Sequence, residues 1–298
     1  MTRLRDPRHL IFAGFCVATL MVFYEHLATL VVQSLGHDTN DYIPLVPLVS
    51  AYFFYTDRNK IFSRTAYSFP VGLGTIIGGT IVHFIGRNQS QWLGQNDYLS
   101  VITLSIGIIW IGGFVCCYGL QASRQALFPL LFLFFIVPMP AAVMEGAIAV
   151  LQESSAEATS ILFALAGVPV LREGFVFHLT GMSIEVADEC SGIHSAIALL
   201  LCSVVAGKLF LAAGWRRVVL ILVVFPIAVM KNGLRIVTLT LLGNYVDPRI
   251  LSGPLHKQGG VPFFLLAISV LGIVMWLLRR TEKFSDSGKQ FAVATRES

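Results

Sequence analysis

The sequence predicts an all-α polytopic membrane protein of about eight transmembrane helices, with a surface helix and a small β-hairpin in the long outer loop before the sixth. Three observations carry this prediction. Of 298 residues, 55% are hydrophobic and only 13% charged, too little polar surface to cover a water-soluble globule of that size. The apolar residues come in runs near the 20 or so that a bilayer-crossing helix needs. The basic residues fall mainly on one side of those runs.

In chain order the runs cover roughly 9 to 34, 41 to 56, 67 to 86, 98 to 120, 126 to 146, 192 to 213, 216 to 242 and 261 to 279. The first is too long for the apolar stretch of a cleavable signal peptide and carries Glu25 and His26, so it is expected to remain in the mature protein. The second is short and contains Pro44 and Pro47, which membrane helices tolerate. No internal repeat or low-complexity linker interrupts the chain. The expected organisation is one integral membrane domain over 1–280 and a cytoplasmic polar tail over 281–298.

With the amino terminus inside, Arg3, Arg5, Arg8, Arg58, Lys60, Arg64, Arg124, Lys208, Arg216, Arg217, Arg279, Arg280, Lys283, Lys289 and Arg296 share one side. The other receives Arg87, Arg172, Arg249 and Lys257. That asymmetry predicts two cytoplasmic termini and outer loops at 35 to 40, 87 to 97, 147 to 191 and 243 to 260. The net charge of +4 therefore reports topology and calls for no nucleic-acid partner.

The longest outer loop is large enough to hold structure. Residues 147 to 166 combine helix formers with Glu153 and Glu157 four apart, the pattern of a helix lying at the membrane surface. From Phe175 the period changes to two: Phe177, Leu179, Met182, Ile184 and Val186 alternate around Thr180 and Gly181, which predicts a hairpin.

That hairpin delivers the chain to "ADECSGIHS". Cys16, Cys116, Cys117 and Cys202 sit inside apolar runs, where a thiol behaves as a small hydrophobe. Cys190 is the one cysteine in an outward segment, with no partner there for a disulfide. The helix that starts near Ser191 favours a thiolate through its dipole. Asp188 and Glu189 oppose one, so a cation must come from elsewhere.

The seventh run supplies it in "VMKNGLRIVTL". A Lys or Arg deep in a bilayer costs about 2.5 to 3.5 kcal/mol on insertion scales, so two in one helix need a reason. Lys231, Asn232 and Arg235 share one broad face. If the helix exits near Leu242, Arg235 lies roughly 10 Å below the surface, from which its stem reaches up. Glu25 in the first run, at a comparable depth, offers Lys231 a carboxylate. His256, a few residues before the eighth run, completes a set of thiol, guanidinium and imidazole at one face. Such a set suits acyl transfer: thiolate attack, oxyanion stabilisation and protonation of the leaving amine.

These segments resemble the exosortases and archaeosortases. "EVADECSG" is similar to the family's acid, alanine, Cys-Ser-Gly motif, "NGLRI" to its Asn-x-x-Arg helix, and "LHKQGG" to its late histidine element, in the family's order. The resemblance implies that Cys190 is the nucleophile, Arg235 its cationic partner and His256 the acid/base group, with Asn232, His194 and Glu185 in support. It also implies the partners: the lipid bilayer, exported proteins bearing a carboxy-terminal tripartite signal (a short Pro-Glu-Pro-like motif, a membrane helix and a basic tail), and an acceptor of unknown identity. The implied enzyme is a cysteine protease or transpeptidase of the bacterial inner membrane, with its site facing the periplasm and a link to exopolysaccharide production. His194 stands where the family commonly has an arginine, so a second imidazole follows Cys190 by four residues.

Two other classes stay open. A transporter, or a component of exopolysaccharide or lipid-linked assembly, would use Lys231, Arg235 and Glu25 along a substrate path, although no repeat symmetry supports it. A metal enzyme would gather His178, His194, His256 and Cys190, but no close ligand-pair spacing appears. No cofactor or metal is assigned.

Overall fold

The computed structural model describes residues 6–36, 40–187, 191–247, 249 and 260–294, the last stretch with side chains up to Glu282. Contacts within the chain divide it into two compact units, Met1–Met144 and Glu145–Ser298.

The first unit opens with α1 (Pro7–Val22) and α2 (Tyr24–Gly36). One helix was expected over 9 to 34, but the run bends by 76° at Phe23. The Thr19 hydroxyl donates back to the carbonyls of Phe15 and Cys16, the kind of bond that bends a helix. Phe23 is buried among Ile102, Ile106 and Ile109, and His26 Nε2 lies 2.9 Å from the Tyr98 hydroxyl. Next, α3 (Leu45–Thr56) holds the second apolar run in 12 residues, a rise of about 18 Å that falls short of a bilayer core. A single turn, α4 (Arg58–Ile61), follows.

The centre of this unit is an antiparallel pair, α5 (Phe69–Asn88) and α6 (Gln95–Gln125). Buried Gly72, Gly79 and Gly86 recur every seventh residue along α5. A Cβ on Gly79 would stand 3.1 Å from the Ser105 carbonyl, and one on Gly112 would stand 2.9 Å from the Gly72 carbonyl. Small residues thus bring the two backbones together, as in membrane helix packing where apolar burial gives no drive.

The fifth run is also broken. It folds as α7 (Leu127–Phe132), a 3-10 turn over Leu133–Ile136, and α8 (Ala141–Leu165), with a 90° bend. Pro138 and Pro140 cause it, because each removes a helical donor and holds the preceding residue extended. Asp97 Oδ1 accepts from the Ala141 N–H at 2.6 Å, and Asn96 donates to the Met139 carbonyl at 2.8 Å. Among the described residues five helices are long and apolar enough to cross a membrane, or seven if each bent pair counts as one span. The polytopic helical class stands, and α3 is the shorter apolar helix beside these.

In the second unit the helix expected at 147 to 166 is the later part of α8. Glu153 and Glu157 are exposed, while Gln152, Ser155, Ala156, Thr159 and Phe163 on the opposite face are buried. The predicted hairpin is present as β2 (Val176–Leu179) and β3 (Met182–Glu185), paired Leu179 to Met182 across Gly181. A further strand, β1 (Leu171–Glu173), pairs with β2 and completes an antiparallel sheet in the order β1-β2-β3. Phe177, Leu179 and Val186 pack from the sheet onto Ala156, Phe163 and Val237, and Arg172 bonds Glu157 at 2.7 Å.

The rest is helical: α9 (Ile193–Phe210), α10 (Gly214–Leu222), α11 (Val224–Tyr245) and α12 (Gly260–Ala294). Leu199, Leu220, Val224, Ile227, Ala228, Ala267 and Leu271 form their shared core. At one end Glu282 of α12 accepts from the backbone N–H groups of Ala212 and Ala213 and from Arg216 Nη1 at 3.0 Å. This carboxylate satisfies donors at the start of α10 and ties α12 to the α9–α10 turn.

Candidate active site

The described part of the candidate site lies where α9 begins. Gly192, its N-cap, adopts φ 79° and ψ 16°, a left-handed conformation that glycine enters without a Cβ penalty. The missing side chain also makes room. A Cβ at Gly192 would stand 3.1 Å from both Cγ and Oδ1 of Asn232, so the turn lies directly on α11. Asn232 is fully buried there.

One turn into α9, the Ser195 hydroxyl donates to the Gly192 carbonyl at 2.8 Å and accepts from the ammonium of Lys231. Lys231 is buried, and among the described residues its partner is this hydroxyl. The two motifs that the sequence singled out, "CSGIHS" and "KNGLR", therefore touch through Gly192, Ser195, Lys231 and Asn232.

Helices α9 and α11 are antiparallel: Gly192 abuts Asn232, and α9 packs through Leu199 against Val224 and Ile227 further back along the α10–α11 segment. Arg235, half-buried, lies three residues beyond Asn232, about 4.5 Å along the axis, on the side away from the body of α9. The sequence placed the start of the sixth helix at the surface and had Arg235 reach up to it. In the structure α9 begins beside Asn232, 13 residues before the end of α11 at Tyr245, an offset of about 20 Å along that helix.

The sheet and α8 lie along the same stretch of α11. Gly181, in the hairpin turn, lies near Asn244 toward the end of α11; a Cβ there would stand 3.8 Å from Asn244 Oδ1. From the turn β3 leads to Val186, whose carbonyl accepts from the buried Gln152 amide at 2.6 Å. Close approach of α8 to α11 is set by Gly233, where a Cβ would meet Ala158 Cβ at 3.1 Å and the Thr159 N–H nitrogen at 3.3 Å. Ser191 is buried next to the Gly192 turn.

Of the site residues read from the sequence, Asn232 and Arg235 sit on the inward α11 face, His194 is exposed in the first turn of α9, and Glu185 is exposed at the end of β3. Cys190 and His256, like Asp188 and Glu189, lie outside the described residues. His178 belongs to the sheet surface, with Nδ1 2.8 Å from the Ser183 hydroxyl and Nε2 3.5 Å from Glu173. Among the described residues no three His, Cys, Asp or Glu side chains converge as metal ligands. Sequence reasoning missed Gln152 and the pairing of Ser195 with Lys231. The period of 152, 155, 159 and 163 along α8 was the available signal for the first; the second joins helices 36 residues apart.

The sequence model of the transmembrane exosortases matches residues 31–273. The chain belongs to this family. Exosortases are membrane cysteine peptidases and transpeptidases that process sorting signals. The matched stretch contains Glu185, Cys190, His194, Asn232, Arg235 and His256, and hence both motifs that meet at Gly192. No curated protein and no solved structure matches the chain.

Proposed function

We propose that this exosortase cleaves the carboxy-terminal, PEP-CTERM-like sorting signals of exported proteins at the outer face of the bacterial inner membrane, through a thioacyl intermediate. The observation that carries the reading is the contact of the Gly192 turn with Asn232. It sets the residues that follow Cys190 in sequence against the helix that carries Arg235, although the two motifs are some forty positions apart.

In this mechanism Cys190 is the nucleophile. Its thiolate attacks the scissile carbonyl carbon, and the Arg235 guanidinium stabilises the resulting oxyanion. As the C–N bond breaks, the His256 imidazolium gives its proton to the departing amine. The thioacyl enzyme is then resolved by an acceptor amine or by water, which regenerates the thiol. The start of α9 contributes its N-terminal dipole to the thiolate. Asn232 holds the turn, and Glu185 and His194 flank it in the chain. Both termini are cytoplasmic in this reading, which makes residues 1–280 one integral domain and 281–298 its polar tail.

Co-expression of a tail-bearing substrate with the wild type or with Cys190→Ala tests it, with mass spectrometry of the new carboxy terminus. Wild-type cells are expected to yield one defined cleaved end, and cells with the variant only full-length substrate at normal membrane levels of the enzyme. Processing by Cys190→Ala overturns the reading. Parallel His256→Ala and His194→Ala variants identify the acid/base group as the one whose loss is the more severe.

A further inference from the structure

The acyl-transfer reading leaves Lys231 without a task. A cation buried in an apolar helix is costly, and the described residues give it a hydroxyl for a partner, where a simple neutralising role would call for a carboxylate. Its stem helps line an apolar groove of about 490 Å³ between α8, α11 and α12, with Met230, Leu234, Leu266 and Val270. Its ammonium turns the other way, to Ser195. The stem is thus accommodated by apolar surface while the head is committed to one hydroxyl.

Ser195 passes that commitment on. Its oxygen accepts from Lys231, so its own proton is directed at a different acceptor, the Gly192 carbonyl 2.8 Å away. Hydrogen bonds in such a chain polarise one another in a low-dielectric setting, and the one from an ammonium is the stronger, charge-assisted kind. Gly192 is thereby held on two sides, its Cβ position against Asn232 and its carbonyl by the Lys231–Ser195 pair beside the Ala196 N–H at 3.0 Å. Adjacent positions 231 and 232 of α11 hold the same turn by different means.

We propose that Lys231 is a positioning residue: acting through Ser195, it fixes the left-handed Gly192 turn that opens α9, and so sets the approach of the nucleophile-bearing segment. This role rests on the acyl-transfer reading above. It involves no contact with substrate and no proton exchanged with it.

The test uses the full-length enzyme in detergent with a purified tail-bearing substrate, and measures kcat and KM per reactive thiol titrated with an alkylating probe. A misplacement of about 1 Å at a reacting centre costs about a hundredfold in rate. Ser195→Ala and Lys231→Met are each expected to lower kcat about 30- to 100-fold with KM within about twofold. Because both act on one carbonyl, the double variant is expected to be no worse than about twofold below the weaker single, a signature of residues in one chain. Ser195→Thr, which keeps the hydroxyl, restores kcat to within about threefold of wild type.

The proposal is overturned if Ser195→Ala keeps wild-type kcat, if the two losses multiply, or if the loss vanishes on normalising to titrated thiol. Should Lys231→Met fail to accumulate, Ser195→Ala and Ser195→Thr decide, since alanine favours the helix and preserves its packing. Wild-type kcat in Ser195→Ala with Cys190→Ala inactive removes only the role of Lys231; processing by Cys190→Ala removes the acyl-transfer reading itself.

Discussion

Replacing Gly192 by alanine adds one methyl group at the point where α9 meets α11. Two costs follow from the structure. At φ 79° a residue with a Cβ is disfavoured by about 1 to 2 kcal/mol. The new Cβ would also stand 3.1 Å from Cγ and Oδ1 of Asn232, closer than ordinary van der Waals contact, and overpacking of a buried site costs about 1 to 3 kcal/mol. The sum, about 2 to 5 kcal/mol, corresponds to between roughly 30- and 4000-fold in the population of the native turn. Substrate cleavage per inserted enzyme is expected to fall by at least about thirtyfold, whereas the helical core of Leu199, Leu220 and Ile227 remains and membrane insertion persists. Gly192→Asn separates the two costs, because asparagine tolerates the left-handed region but carries the same Cβ; an intermediate loss is expected. Gly146→Ala, at an exposed helical position with nothing within 4 Å of the added atom, provides the control and leaves cleavage unchanged. A Gly192→Ala enzyme that cleaves within twofold of the wild-type rate would refute the reasoning.

Three further outcomes follow from the same geometry. Gln152→Leu removes the buried donor to the Val186 carbonyl at a cost of about 1 to 3 kcal/mol; limited proteolysis is expected to cut the 170–187 segment faster, and equal protection would count against the anchor. Glu282→Ala strips Arg216, 8% exposed at its side chain, of its ion pair and two N–H groups of their acceptor, a loss of about 3 to 5 kcal/mol; a lower detergent unfolding temperature is expected, and an unchanged one refutes the clamp. Gly79→Val drives a branched side chain at the Ser105 carbonyl and separates α5 from α6, which cross-linking of paired cysteines placed on the two helices would detect as lost yield.

The sequence made the apolar runs legible because composition and length suffice to find them. It made the two motifs legible because a cysteine in an outward loop and paired cations in an apolar helix are each costly without a reason. The breaks were hidden for a different cause. Thr19 and Phe23 look like ordinary members of an apolar run, and only the bonds from Thr19 to Phe15 and Cys16 reveal the bend. Pro138 and Pro140 were visible, but a proline can either kink a span or end it, and the choice rests on Asp97 and Asn96 from a neighbouring helix. The strand at Leu171–Glu173 is three residues long and too brief to show a period. The depth of the α9 start depended on a contact between residues 40 positions apart, which no local pattern encodes.

On the proposed reading, the offset between the Gly192 turn at Asn232 and the end of α11 at Tyr245 sets a reach for the substrate. If cleavage takes place at the level where α9 begins, about 20 Å below the end of α11, an incoming polypeptide must arrive extended, at about 3.3 Å per residue. Roughly six residues are needed to bridge that distance. A folded exported domain ending closer than that to its cleavage point would be held off by the rim formed by the hairpin turn and the end of α11, however well its sorting motif matched. On that reading, linker length on the amino-terminal side of the scissile bond is expected to select among substrates, which cleavage of a series with stepped linker lengths would check.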